Sequence, residues 1–153
     1  MTGGPTELEE LSPEKESEVR ASFARQGLMR AIGAELATLG PGRCAVALPF
    51  SETVAQQHGF FHGGVIGAIA DTAGGYAALS LLPLGSEVVT LEYKVNFLRP
   101  AAGDRLLAEG SVLRAGRSVT VTRVDVFVEA RGRRQLCAAL QQSVVQAPSP
   151  PRT

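Results

Sequence analysis

Apolar and polar residues alternate most regularly between residues 89 and 97. Val89, Leu91, Tyr93, Val95 and Phe97 are interleaved with Thr90, Glu92, Lys94 and Asn96. A period of two predicts a strand with one buried apolar face and one polar face. Two further strands are predicted from "RLLAEGSVLRAG" and "RSVTVTRVDVFVEARG", which turn near Ala115-Gly116. In the second, the apolar parity passes from Val119 and Val121 to Val124, Val126 and Val128, which predicts a bulge near Arg123. "QLCAALQQSVVQ" reads as the last strand. Earlier, "IGAELATL" and "RCAVALPF" flank Gly40-Pro41-Gly42, a strong turn signal, and predict a hairpin.

Two segments follow helical rules. Ser12 is placed to cap a helix that carries Pro13 at its first position and Glu14 in its first turn. That helix is expected to reach about Arg30, burying Val19, Phe23 and Leu28, and to stop at Gly33. Residues 63–82 are apolar throughout except for Asp71, Thr72 and Ser80, and Pro83-Leu84-Gly85 closes the run. A bilayer needs about 20 apolar residues, so this run is long enough to span one. Asp71 at its middle would cost about 2.5–3.5 kcal/mol there, and the half-apolar strands around it need a core partner. A buried central helix satisfies both facts. The predicted order is therefore helix, two strands, one long helix and four strands: an α+β domain in which an antiparallel sheet packs on a central helix. The single domain is expected over 12–146, with tails at 1–11 and 147–153.

Composition narrows the class further. The chain has 153 residues, 15 basic and 15 acidic side chains, and a formal net charge of zero. A neutral balance supplies no bulk attraction for nucleic acid. Cys44 and Cys137 lie far apart, each in a predicted strand, and read as small core residues in a reducing compartment. The acidic opening "MTGGPTELEELSPEKE" lacks the basic start and apolar run of a signal peptide, so a cytoplasmic location is expected.

The central helix carries the chemistry. At 3.6 residues per turn, Asp71 shares its face with Gly64, Gly67, Ala68, Gly74, Gly75 and Ala78, while Ile66, Ile69 and Tyr76 lie opposite. Each glycine costs a helix interior about 1 kcal/mol relative to alanine. Four of them around one acid imply a close approach, by a partner's backbone in tight packing or by a ligand in a shallow trench. Asp71 is then either a functional carboxylate or a buried acid satisfied by a threonine or backbone donors. His62-Gly63-Gly64 opens the helix, where early N–H groups lack intrahelical partners and the dipole is positive. Gly63 leaves its N–H open to a polarised carbonyl, as in an oxyanion hole. An oxyanion donor and a carboxylate that activates water or attacks directly are the two parts acyl hydrolysis requires. No G-x-S-x-G is present. His58, His62 and Asp71 lack the spacing of a helical metal motif, so no metal is expected.

"HGGVIGAIADTAGGYAA", the preceding "SETVAQQHGFF" and the downstream "VTLEYKVNFLRPA" together resemble the hotdog-fold acyl-CoA thioesterases. The similarity is greatest to the phenylacetic-acid-degradation (PaaI-type) branch, runs from about residue 25 to 146, and rests on H-G-G with an acid eight residues after the first glycine. The resemblance implies a sheet wrapped around the helix, and a homodimer, commonly a dimer of dimers, with sites shared between subunits. It implies hydrolysis of an acyl-CoA to free acid and CoA, with no cofactor. By position it makes Asp71 the general base or nucleophile and Gly63 the donor to the thioester carbonyl. Gln56 would help bind the thioester, and His62 would hold the loop. Some relatives carry Thr four residues after the acid, where this chain has Gly75, and Thr90 is then the candidate hydroxyl for positioning water. "LRAGRS" matches a hairpin that contacts the nucleotide end of CoA, giving Arg114, Arg117 and Ser118 as phosphate ligands or as an ordinary solvated turn. The rival functions are a non-catalytic acyl-CoA-binding module and a hydratase on the same fold. The first separates by thiol release and the second by loss of enoyl absorbance.

Overall fold

The computed structural model describes residues 10–148, so the two expected tails lie mostly outside the described residues. Helix α1 spans Pro13–Arg25 and α2 spans Gly27–Ile32. Strands β1 (Glu35–Gly40) and β2 (Arg43–Pro49) form the expected hairpin, followed by a 3₁₀ turn at Glu52–Val54. The long helix α3 runs Gly63–Leu79. Four strands follow: β3 (Val88–Phe97), β4 (Arg105–Ala115), β5 (Val119–Ala130) and β6 (Arg133–Gln146). All pair antiparallel in the order β1-β2-β4-β5-β6-β3, and α3 lies against β2 through β6. Ile66, Ile69, Ala70, Ala73 and Ala77 of α3 pack with Leu48, Leu106, Val124, Val126 and Leu140 of the sheet. At Gly110 the strand comes so near the helix that an added Cβ would lie 2.8 Å from the Ala73 carbonyl carbon and oxygen. The sheet-on-helix architecture is the one expected.

Three local expectations are corrected. The N-terminal helix is two helices. Gln26 is extended (φ −70°, ψ 108°) and its Nε2 donates to the Tyr76 hydroxyl at 3.0 Å, while Gly27, a poor helix former, follows. The break rotates the second segment, so Met29 is buried at 1% exposure and Leu28 is left at 58%. Gly33 ends α2 in the left-handed conformation (φ 78°), as expected.

Strand β3 does not keep one face. A register shift between Thr90 and Glu92 inverts it. Val88 and Thr90 face the helix before the bulge, and Tyr93, Val95 and Phe97 face it afterwards. Val89 and Leu91 consequently stand 50% and 61% exposed. Strand β5, conversely, contains no bulge at Arg123. Thr122, Val124, Val126 and Val128 are buried in unbroken alternation. The shift lies across from it, between Val112 and Arg114 of β4. The apparent parity switch arises because threonines, not valines, take the inward positions at this end of β5.

Lys15 on α1 is nearly buried and clamps the chain after α3. Its Nζ bonds Glu18 at 2.7 Å and the Pro83 carbonyl at 3.2 Å, while the Gly85 N–H donates to Glu18. Burial by itself would raise the Glu18 pKa, but the Lys15 and Gly85 hydrogen bonds and the Lys15 charge outweigh it and hold the carboxyl below its ordinary 4.5. A depressed carboxylate contributes stability above its unfolded pKa and loses it as pH falls through the folded value. Glu18→Gln is therefore expected to destabilise by about 1 kcal/mol at pH 7, with the difference from wild type closing below pH 4.5. Urea melts of both proteins at pH 7 and pH 3 measure it, and an undiminished difference at pH 3 would refute the clamp.

Cys44 and Cys137 are free and buried. Burial pushes the thiols up to about 12 and about 11 respectively, which leaves neither as a ready nucleophile.

Candidate active site

The entry to α3 is built by a tight loop. Gln56 N donates to the Phe60 carbonyl at 2.8 Å and Gly59 N to the Gln56 carbonyl at 3.0 Å, with Gly59 left-handed (φ 81°). The Gln56 side-chain Oε1 accepts from the His58 and Phe60 N–H groups. Its amide nitrogen has no partner among the described residues. His62 is the N-cap: its Nδ1 accepts from Gly64 N at 2.7 Å, and its own N–H donates to the Val54 carbonyl at 2.9 Å. The next amide, Gly63 N–H, makes no hydrogen bond among the described residues. Gly63 also lines a crevice of about 470 Å³ together with Gln56, Phe60, Ile66, Phe97 and Arg99. His58 sits exposed on the loop, and no group of three metal-ligating side chains occurs among the described residues.

Two turns further on, Asp71 is half-buried. Thr90 Oγ1 donates to its Oδ1 at 2.7 Å and Gln142 Nε2 donates to the same oxygen at 3.0 Å. Oδ2 has no partner, and no Lys or Arg approaches within ion-pair distance among the described residues. The glycine face is only partly open. Gly67 lies against the Tyr93 hydroxyl, where an added Cβ would sit 3.1 Å away, and Gly74 lies against Gln142 and Thr122. Gly75 meets nothing within 4 Å, and Gly64 is exposed and meets only the His62 ring. The expected trench is thus a split surface: one glycine pair seats β3 and β6, the other faces outward.

The structure joins the expected residues into two groups. Gln56, His62 and Gly63 form one, and Asp71 with Thr90 the other. They are eight residues apart on one helix, about 12 Å at 1.5 Å per residue. Arg114, Arg117 and Ser118 are exposed at the β4–β5 turn and free of ion pairs with described residues. Register runs Thr90–Val144–Thr120–Ala115 across the sheet, placing that turn three strands, about 14 Å, from Thr90. Gln142 was not a candidate from sequence. Its signal was a lone polar residue in phase between Leu140 and Val144.

An antiparallel sheet laid on one long central helix is the architecture of the hotdog class. The Thioesterase superfamily profile matches residues 58–134. A crystal structure of a thioesterase family protein from Silicibacter pomeroyi is 38% identical, superposes with a TM-score of 0.84, and covers 86% of this chain and 97% of that one. A candidate esterase of Halobacterium salinarum is 35% identical over 109 residues, 68% of this chain and 72% of that one. The 1,4-dihydroxy-2-naphthoyl-CoA hydrolase of Listeria monocytogenes is 28% identical over 103 residues, 67% and 84% of the two chains. The chain belongs to the Thioesterase superfamily and is a hotdog-fold thioesterase.

Proposed function

We propose that the protein hydrolyses an acyl-CoA thioester to the free acid and CoA, in a PaaI-type site assembled from two subunits. The observation that carries this reading is the 12 Å spacing. A thioester carbonyl must lie within hydrogen-bond reach of both an oxyanion donor and the attacking group. One rigid helix cannot offer Gly63 N–H and Asp71 to the same carbonyl. A second copy with its helix antiparallel brings its Asp71 to the first copy's Gly63, and two-fold symmetry completes both sites together. The β3 edge supports such pairing: its outer side is unpaired among the described residues, it lies beside the site, and it carries Tyr93 and Phe97 on the helix side at 46% and 54% exposure, with Val89 and Leu91 exposed on the other face. A dimer of dimers in the cytoplasm, with both thiols reduced, is the assembly proposed.

In this site Gly63 N–H takes the carbonyl oxygen. Either Asp71 Oδ2 draws a proton from water as the water oxygen bonds the carbonyl carbon, the carbon–sulfur bond then breaks, and that proton passes to the departing thiolate; or Oδ2 attacks the carbon itself, the carbon–sulfur bond breaks to release the CoA thiolate and leave an acyl–aspartyl anhydride, and water then cleaves the anhydride, giving the free acid, the Asp71 carboxylate and the proton that the thiolate takes up. Thr90 holds Oδ1, Gln56 presents its free amide nitrogen to the thioester, and His62 fixes the turn. Arg114, Arg117 and Ser118 receive the phosphates of CoA. Support for the CoA ester comes from the Listeria relative, a CoA hydrolase by name. A panel of acyl-CoA substrates with a colorimetric thiol readout tests the proposal. Stoichiometric CoA release is expected, while tight binding of every ester without release would overturn it in favour of a binding module.

A further inference from the structure

Gln142 occupies a position that the pattern of β6 reserves for an aliphatic side chain. It points inward between Leu140 and Val144 and is 1% exposed. Its Nε2 lies 3.0 Å from Asp71 Oδ1, 3.1 Å from Thr90 Oγ1 and 3.3 Å from the Asp71 carbonyl oxygen. Among the described residues its Oε1 has no partner, and neither has the hydroxyl of Thr122, its cross-strand neighbour on β5. A buried amide with one end unsatisfied is less stable than a well-packed aliphatic residue of the same volume. A second cost falls at the same point. Gly74 weakens the helix interior, yet any Cβ there would overlap Gln142 Oε1 and lie 2.7 Å from Thr122 Oγ1. Both departures from a stable core serve one contact, Nε2 against Oδ1.

We infer that Gln142 is a positioning residue for hydrolysis, acting through Asp71, and that the missing side chain of Gly74 is what admits it. With Thr90, its amide saturates Oδ1, fixes the carboxylate plane and leaves Oδ2 as the oxygen that meets water or substrate. The amide orientation follows from chemistry: an ionised Oδ1 needs a donor, so nitrogen faces Asp71 and oxygen faces Gly74. Gln142 does not touch the thioester. The inference rests on the thioester-hydrolase reading above.

Gln142→Met keeps an unbranched side chain of similar volume and removes the donor. With the acyl-CoA that the wild type turns over fastest, kcat is expected to fall about 10- to 100-fold, KM to change less than about two-fold, and the melting temperature to stay at or above the wild-type value. Gly74→Ala, which displaces the amide from the helix side, is expected to lower kcat likewise. Combined with Gln142→Met it should add less than its separate effect, because both remove the same contact. Gln142→Leu repeats the measurement should the methionine variant fold poorly. Wild-type kcat in a folded Gln142 variant, with Asp71→Asn inactive, would overturn the inference and leave the hydrolase reading intact. A raised KM with unchanged kcat would overturn it too. No thiol release by the wild type from any ester would overturn both.

Discussion

Asp71→Asn is expected to lower kcat by about 10²- to 10⁴-fold while the melting temperature stays within a few degrees of wild type. The carboxamide has nearly the shape of the carboxylate. Its oxygen can still accept from Thr90 Oγ1 at 2.7 Å and from Gln142 Nε2 at 3.0 Å, so the clamp survives. What is lost is the charge and basicity of the free Oδ2. With no Lys or Arg paired to Asp71 among the described residues, removing the charge orphans no cation. Thiol release and a thermal melt on one preparation decide the matter. Wild-type release by the folded variant would remove Asp71 from the chemistry, whichever of the two routes it serves.

Gly63→Pro is expected to cost about 10²- to 10³-fold in kcat by deleting one N–H. Proline is well tolerated at the first position of a helix, because that amide has no intrahelical acceptor. His62 already holds the extended geometry (φ −65°, ψ 136°) that a following proline demands. The ring atoms of Phe97 lie 3.1–3.6 Å from a Cβ at Gly63, and Phe97 is exposed enough to yield a few tenths of an ångström. The two inactive proteins also test where the site lies. In a hybrid dimer, the wild-type Asp71 of one chain faces the wild-type Gly63 of the other, and the second site carries both lesions. Random mixing makes half the dimers hybrids with one intact site of two, so about one quarter of wild-type activity should return. No recovery after confirmed subunit exchange would place both groups in one chain.

The architecture was legible because its largest signals are local. The alternating strands, the capped start at Ser12, the turn at Pro41-Gly42 and the apolar run after His62 each fix an element without reference to its neighbours. Asp71 and Gly63 stood out as candidates for a related reason: a lone acid among interior glycines is costly, and a glycine at a helix entry leaves its N–H open. Binary pattern failed where the interior turns polar. Val119 and Val121 look like inward residues until the structure shows Thr122 buried beside Gln142. Val89 and Leu91 look like core until the bulge after Thr90 turns them out. Gln142 was missed because its role depends on a residue 71 positions away in sequence, and no local period reports such a partner.

The inward hydroxyls and amide of Thr90, Thr122 and Gln142 bear on engineering. They are the first places where a redesign for heat tolerance would substitute valine or leucine, since aliphatic filling there removes orphan polar atoms and tightens the interior. Such a variant would survive hotter conditions as a sturdier but idle protein, with its carboxylate free to swing. Hardening this scaffold without silencing it means leaving that polar corner alone and strengthening the opposite end of the sheet.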